Sequence, residues 1–310
     1  MEDTSAALER DLACLDEYDY FFRPDLLSGK VAFITGGGSG IGFTIAEVFM
    51  SCRLASNLVG RIALAGRIVL QFYQRFLVLQ LGCKKTRNFD RTEVCSSKDG
   101  CSKGRKNWNF DQVKEVETAL DKALEHFSQI DVLVNGAAGN FLCPASKLSY
   151  NGIKTVIDID TLGTFNLSKA VFNKCFKNNG GGSIINITAT LHYNGCPYQC
   201  HAGCAKAAIE AMMRHLAVEW GPHGVRVNCV APGPVADTEG LHRLGKNLDP
   251  NFAKKFPLQR LGTRREIADA TVFLASGASA LMTANTLVVD GGSWMAGFPP
   301  LTEMKAHSKL

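Results

Sequence analysis

The chain predicts a doubly wound α/β domain: one central parallel sheet with helices on both faces. Three features carry that expectation. Short apolar runs recur along the 310 residues. Stretches of helical apolar spacing separate them. The first apolar run empties into a glycine cluster that opens a helix.

The elements come in a regular order. Val31–Thr35 (VAFIT) reads as a buried parallel strand. Residues 41–49 carry apolar side chains at helical spacing, and 113–127 read as an amphipathic helix. IDVLVN at 130–135 is a second strand, 154–176 a long helix, and SIINI at 183–187 a third strand. A helix over 205–220, a strand at 225–230 before Pro232, a helix over 266–274 and a last strand at 286–289 complete the alternation. Residues 1–28 read as an N-terminal extension, 29–296 as a single domain and 297–310 as a tail.

Composition excludes several classes. Hydrophobic residues make up 46% of the chain, enough for one large core. The net charge of +5 is mild, and the densest basic cluster, Lys98, Lys103, Arg105 and Lys106, has few aromatics near it. That argues against a nucleic-acid surface and fits a basic rim for an acidic substrate. The acidic start lacks the apolar stretch of a signal peptide, so the 11 cysteines read as reduced thiols rather than a disulfide framework. Cys196, Cys200 and Cys204 recur every fourth residue beside His201, but zinc wants a fourth ligand and tighter pairs, and no metal is expected. Residues 54–81 are the most apolar stretch, yet Arg61, Arg67 and Arg75 interrupt them, so no membrane span is expected.

Thr35 is followed by Gly36, Gly37, Gly38, Ser39, Gly40, Ile41 and Gly42. Glycines there permit a tight turn and close backbone approach to a pyrophosphate, whose charge the new helix's free amides favour. This context makes the domain a Rossmann-type dinucleotide fold. A residue some twenty positions on reads the ribose, and an acid there would favour NAD. No acid stands between Glu47 and Asp90, whereas Arg61 comes 19 residues after Gly42. NADP is therefore favoured, with Arg67 as the competing position if 63–66 form the strand.

These motifs resemble the short-chain dehydrogenase/reductase family. The loop 35–42 looks like its cofactor loop, and Asn135-Gly-Ala137-Ala-Gly139 like the turn beside the adenine ribose. Asn228 with Pro232-Gly233-Pro234 resembles the turn beside the nicotinamide, which puts Val235 and Thr238 where the family contacts carboxamide and phosphate. Asp290-Gly-Gly292 resembles the family's last strand ending. The match covers about 28–50 and 110–295.

The usual Asn-Ser-Tyr-Lys set is altered. Lys206 fits the lysine, but Ala202 stands in the tyrosine place, Ala189 in the serine place and Asp160 in the asparagine place. The family's branch of peroxisomal dienoyl-CoA reductases is similar at this departure, in stretches such as AAGNFLCPA, DIDTLGTFN and HAGCAKAA. That resemblance implies NADPH-dependent reduction of 2,4-dienoyl-CoA to 3-enoyl-CoA in peroxisomal unsaturated fatty acid β-oxidation. It implies that Lys206 holds the nicotinamide ribose and that Asp160 with Lys206 positions a proton-delivering water. Asn140 and Phe141 become candidates for the thioester end of the pocket, and Tyr193 and Tyr198 candidates for displaced proton donors. A homo-oligomer is also implied. The alternatives are another short-chain reductase, acting on a carbonyl or enoyl thioester, and a non-catalytic cofactor-binding protein.

Ser308-Lys309-Leu310 reads as a peroxisomal import address for the import receptor. Residues 51–109 resemble the family poorly. Codons permitted for 81–106, read one base later, can spell a string that looks like the missing helix and third strand, so this segment reads as the product of a shifted frame or a gene-model error.

Overall fold

The computed structural model describes residues 21–23, 25–52, 111–238, 240–242 and 251–296, with the backbone of 61–65 and 77–78. The described elements begin with β1 (Val31–Thr35), α1 (Gly40–Ser51), β2 (Arg61–Ala65) and β3 (Leu77–Val78). Next come α2 (Val113–Phe127), β4 (Val132–Asn135), α3 (Tyr150–Val156) and α4 (Gly163–Val171). The chain then forms β5 (Gly182–Ile187), α5 (Cys200–Trp220), β6 (Val225–Pro232), α6 (Arg264–Ala275), β7 (Thr286–Val289) and α7 (Ser293–Ala296).

All seven strands are parallel, in the order β3-β2-β1-β4-β5-β6-β7. The winding reverses between β1 and β4, so their carboxyl ends flank the crevice where such sheets take ligands. Strand alternation splits the core in two. Phe33, Leu133, Ile184 and Val227 face α2, α4 and α5. Ile34, Val134, Ile185 and Val230 face α1 and α6. Successive side chains point to opposite covered faces, so the strands are mostly apolar on both sides, with a few buried polar residues such as Asn186 and Asn228. That is why these strands were legible as unbroken runs.

Several boundaries differ from expectation. The long helix begins at Tyr150, where the Ser149 hydroxyl accepts from the Gly152 amide at 3.0 Å. Exposed Tyr150 and Asn151 carry no apolar period, which hid this first turn. The same helix is interrupted by two π-helical segments, Ile157–Leu162 and Phe172–Phe176. Helix α5 begins at Cys200, because small residues at 202–205 serve a helix without showing a period. Within 51–109, β2 and β3 extend the sheet beyond β1. Parallel pairing uses the backbone alone, so short apolar segments suffice there.

Helix α6 carries a capping box: Thr263 accepts from the Glu266 amide at 3.2 Å, and Glu266 accepts from the Thr263 amide at 2.8 Å. The Arg260 guanidinium beside Glu266, together with the Thr263 bonds, holds that carboxyl down at about 2. Replacing Thr263 by Ala is expected to lower stability by about 1 kcal/mol in denaturant melts. A depressed carboxylate stabilises the fold above its ordinary pKa. The Glu266 contribution is therefore expected to persist at neutral pH and to fade only as pH falls toward about 2.

Candidate active site

The crevice starts at the end of β1. Thr35 pairs with Asn135 across the β1–β4 boundary, and its hydroxyl accepts from the amides of Gly136 (3.1 Å) and Ala137 (3.2 Å). The two loops meet closely: a Cβ on Gly36 would lie 2.6 Å from the Gly136 carbonyl oxygen. One on Gly42 would lie 2.3 Å from the Gly36 oxygen. Gly36 and Gly40 also hold positive φ, at 69° and 56°. Only glycine satisfies both demands at Gly36. Helix α1 comes next with no acid in its first turn, and Ser39 gives it no side-chain cap. With Gly38 and half-buried Ile41, this leaves a helix N-terminus suited to a pyrophosphate. The cradle fits a dinucleotide.

Other sequence candidates fall along the same carboxyl edge, several with structural duties. The Asn135 amide donates to Ser168 (3.0 Å) and Asn186 (2.9 Å), tying β4 to α4 and β5. Asn228 bonds the Met282 carbonyl and the Asn285 amide, clasping β6 to the β7 approach. A Cβ on Gly233 would lie 2.5 Å from that of Asp290, so the Pro232-Gly233 turn packs on the Asp290-Gly-Gly292 turn. Val235 is buried and bridges to Gly262. The Thr238 hydroxyl donates to the Val235 carbonyl (2.9 Å) and accepts from the Leu241 amide (3.2 Å).

Arg61 is a correction. It opens β2 opposite Val31, whereas Ala65 stands beside Thr35. Four residues of strand, about 13 Å, separate it from the glycine loop. The backbone register thus sets Arg61 at the end of β2 remote from the glycine loop. Arg67 lies outside the described residues.

The proton-handling candidates converge. Asp160 is wholly buried, on the first π-helical segment. A π turn inserts an extra residue and re-aims the residues after it by on the order of 100°. One Asp160 oxygen accepts from the Gly139 amide at 2.7 Å. The other lies 3.1 Å from the Lys206 ammonium, an ion pair whose angles do not make it a hydrogen bond. Lys206, buried on α5, donates to the Ile187 carbonyl at the end of β5 (3.1 Å). Ala202, one turn earlier, is buried and offers no acidic hydrogen. Asn140 donates to Gln199 (3.0 Å), and partly exposed Phe141 stacks on His201.

Sequence reasoning missed Glu210, one turn after Lys206. One of its oxygens accepts from Tyr193 (2.8 Å) and Thr188 (3.2 Å) and lies 3.5 Å from His192. Burial alone raises this carboxyl, but the bonds from His192, Tyr193 and Thr188 outweigh it and leave it below its ordinary range. Glu210 thus pins the loop after β5, which contains Ala189. Burial, then the Glu210 bond and charge, push the Tyr193 phenol well above its usual range, which disfavours it as a free proton donor. Tyr198 holds a positive φ of 64°, and its carbonyl accepts from the Cys143 amide.

A family model described as Enoyl-(Acyl carrier protein) reductase matches residues 96–293. The chain is 46% identical over 305 residues to a Mus musculus protein named as a (3E)-enoyl-CoA-producing peroxisomal 2,4-dienoyl-CoA reductase, covering 95% of each chain. A Rattus norvegicus protein of the same name is 48% identical over 292 residues, covering 91% of this chain and 89% of its own. Among solved structures, a short chain dehydrogenase from Bacillus anthracis superposes with a TM-score of 0.71 at 31% identity, covering 88% of this chain and 100% of that one.

Two outcomes are expected. Gly42→Ala drives a methyl into the Gly36 carbonyl and weakens dinucleotide binding by about tenfold or more, or about 1.4 kcal/mol, in fluorescence titration. Glu210→Gln loses about 1–3 kcal/mol of stability in neutral-pH melts. Because the carboxylate is depressed, the gap from the parent protein narrows as pH falls through and below the ordinary carboxylate range.

Proposed function

The chain belongs to the short-chain dehydrogenase/reductase family, and from that premise we propose that it reduces 2,4-dienoyl-CoA thioesters to 3-enoyl-CoA with NADPH. The reaction serves peroxisomal oxidation of unsaturated fatty acids. One observation carries the reading. A buried Asp160–Lys206 pair stands beside Ala202, where carbonyl reducers of the family keep a tyrosine. The relatives that share most of this chain's length are named for the dienoyl-CoA reaction.

When bound, NADPH supplies the hydride, which the substrate accepts at its δ carbon. Negative charge then spreads through the conjugated system to the thioester oxygen, where donors in the pocket stabilise it. Asn140 and Phe141 shape that end of the pocket. Lys206 holds the nicotinamide ribose and keeps positive charge near the developing dienolate. Asp160 and Lys206 orient a water over the α carbon. The dienolate's electron pair forms the α C–H bond as the water's O–H bond breaks. The hydroxide left behind takes a proton from the Lys206 ammonium, and bulk water restores it after product leaves. No carbonyl becomes an alcohol, so no tyrosine is needed.

Thr35, Gly36, Gly38, Ser39, Gly40, Ile41 and Gly42 cradle the pyrophosphate, and Asn135 with Ala137 supports the adenine-ribose side. Pro232, Gly233, Val235 and Thr238 border the nicotinamide side. The preference for NADP over NAD rests on the absence of any acid between Glu47 and Asp90. Import into the peroxisome runs through Ser308-Lys309-Leu310 and its receptor, and the working form is a homo-oligomer. Among the described residues, no helix is long and apolar enough to cross a membrane.

The test is NADPH oxidation by purified protein with a 2,4-dienoyl-CoA, beside Asp160→Asn. Asparagine keeps an acceptor for the Gly139 amide, and a thermal melt of the variant verifies that it is folded although the Lys206 charge loses its partner. Turnover that requires the dienoyl thioester and falls about 10²-fold or more in the variant is the expected result. A folded parent protein that leaves NADPH untouched would sink the assignment. A fluorescent fusion without the last three residues is expected to remain outside peroxisomes, and unchanged peroxisomal signal would overturn that part.

A further inference from the structure

His201 is wholly buried at the start of α5, directly before Ala202. Its ring stacks on Phe141, with centroids 4.1 Å apart and planes 24° from parallel. Neither ring nitrogen has an aligned hydrogen-bond partner. The nearby Phe141 backbone and the Asp160 charge favour a protonated ring, but burial outweighs both and lowers the imidazole's pKa. His201 is therefore neutral at neutral pH, with one nitrogen a donor and the other an acceptor.

An unpaired buried polar group of this kind costs the fold its full desolvation penalty. A phenylalanine here would keep the Phe141 stack without that cost, so packing alone does not explain the histidine. Its neighbours carry the same signature. Asn140 Oδ1 is buried without a hydrogen-bond donor, and Asp160 Oδ2 meets the Lys206 ammonium at 3.1 Å without an aligned hydrogen bond. The three residues are held together by their surroundings. Gly139 binds Asp160, Asn140 binds Gln199, and Phe141 stacks on His201. These atoms thus belong to residues that the 139–141 turn ties together, two acceptors in a group with a ring that both donates and accepts. Buried polar atoms in such a group are ordinarily satisfied by a shared water with two to four partners.

We propose that His201 is a positioning residue for the proton-delivering water, holding its oxygen through a ring N–H while Asp160 Oδ2 accepts one of its hydrogens and the other is left for the α carbon. This rests on the dienoyl-CoA reading above and adds a third anchor to the Asp160–Lys206 pair. A ring on the Phe141 stack has no freedom to swing, so it fixes the oxygen's position. The proton moves from water to the α carbon, and His201 changes neither its charge nor its proton count.

The experiment compares His201→Phe and His201→Gln with the parent protein under NADPH and a 2,4-dienoyl-CoA. Phenylalanine keeps the stack and removes both nitrogens. Glutamine keeps hydrogen-bonding capacity without the ring. The expected result for His201→Phe is kcat down about 10²-fold, a larger solvent deuterium isotope effect on kcat, unchanged NADPH affinity, and thermal stability equal to or above that of the parent protein. His201→Gln is expected to recover part of kcat and of the normal isotope effect. Full kcat in His201→Phe would overturn the proposal and leave His201 as packing. So would a loss confined to KM or stability with an unchanged isotope effect. A parent protein inactive on dienoyl-CoA would overturn the functional reading itself, and these outcomes are distinguishable because the parent is assayed first.

Discussion

A carboxylate buried beside an ammonium is the constraint on which the site depends. Asp160 and Lys206 are both withdrawn from water, and breaking such a pair strands the remaining charge at a cost of about 3–5 kcal/mol. Each partner is therefore held from a second side: Asp160 by the Gly139 amide and Lys206 by the Ile187 carbonyl. These contacts join four parts of the chain. The turn after β4, the π-helical segment, the end of β5 and α5 must all be in place before the pair is satisfied. The loop geometry around the crevice obeys that requirement.

The dinucleotide cradle obeys a different constraint, which is steric. Backbone from the β1 and β4 loops approaches so closely that a methyl at Gly36 would strike the Gly136 carbonyl. The same closeness brings Thr35 within reach of two amides of the neighbouring turn. Glycine identity, strand order and the Thr35 clasp are thus one arrangement seen three ways. The polar pair is buried, on the π-helical segment and α5, so the glycine cradle and the pair rest on separate supports.

The replaced residues make chemical sense together. Carbonyl reduction needs an acid at the tyrosine place, and Ala202 supplies none. Reduction of a conjugated thioester needs a proton at carbon, which an oriented water can deliver. Glu210 holds the loop that bears Ala189 through Tyr193, Thr188 and nearby His192. In this site the tyrosine side chain nearest the altered serine place is bound to a carboxylate and serves as an anchor.

Much of the fold and part of the site were legible in the residues alone. Apolar runs revealed the buried strands because both faces of the sheet are covered. The glycine loop was legible by spacing, since short loops hold their geometry locally, and Asp160 and Lys206 were marked by the family resemblance. The features that stayed hidden depend on partners distant in sequence. The register that puts Arg61 at the remote end of β2 exists only through pairing with β1. The π-helical turn that aims Asp160 has no apolar signature. Glu210 reads as an ordinary helix carboxylate until Tyr193 and Thr188 fold onto it. His201 reads as an ordinary helix residue until Phe141 covers its ring. The sequence by itself determined the element types and the glycine cradle, because those rest on local period and backbone sterics. Only the tertiary structure decided which polar atoms are buried together, because burial is a property of the whole packed chain.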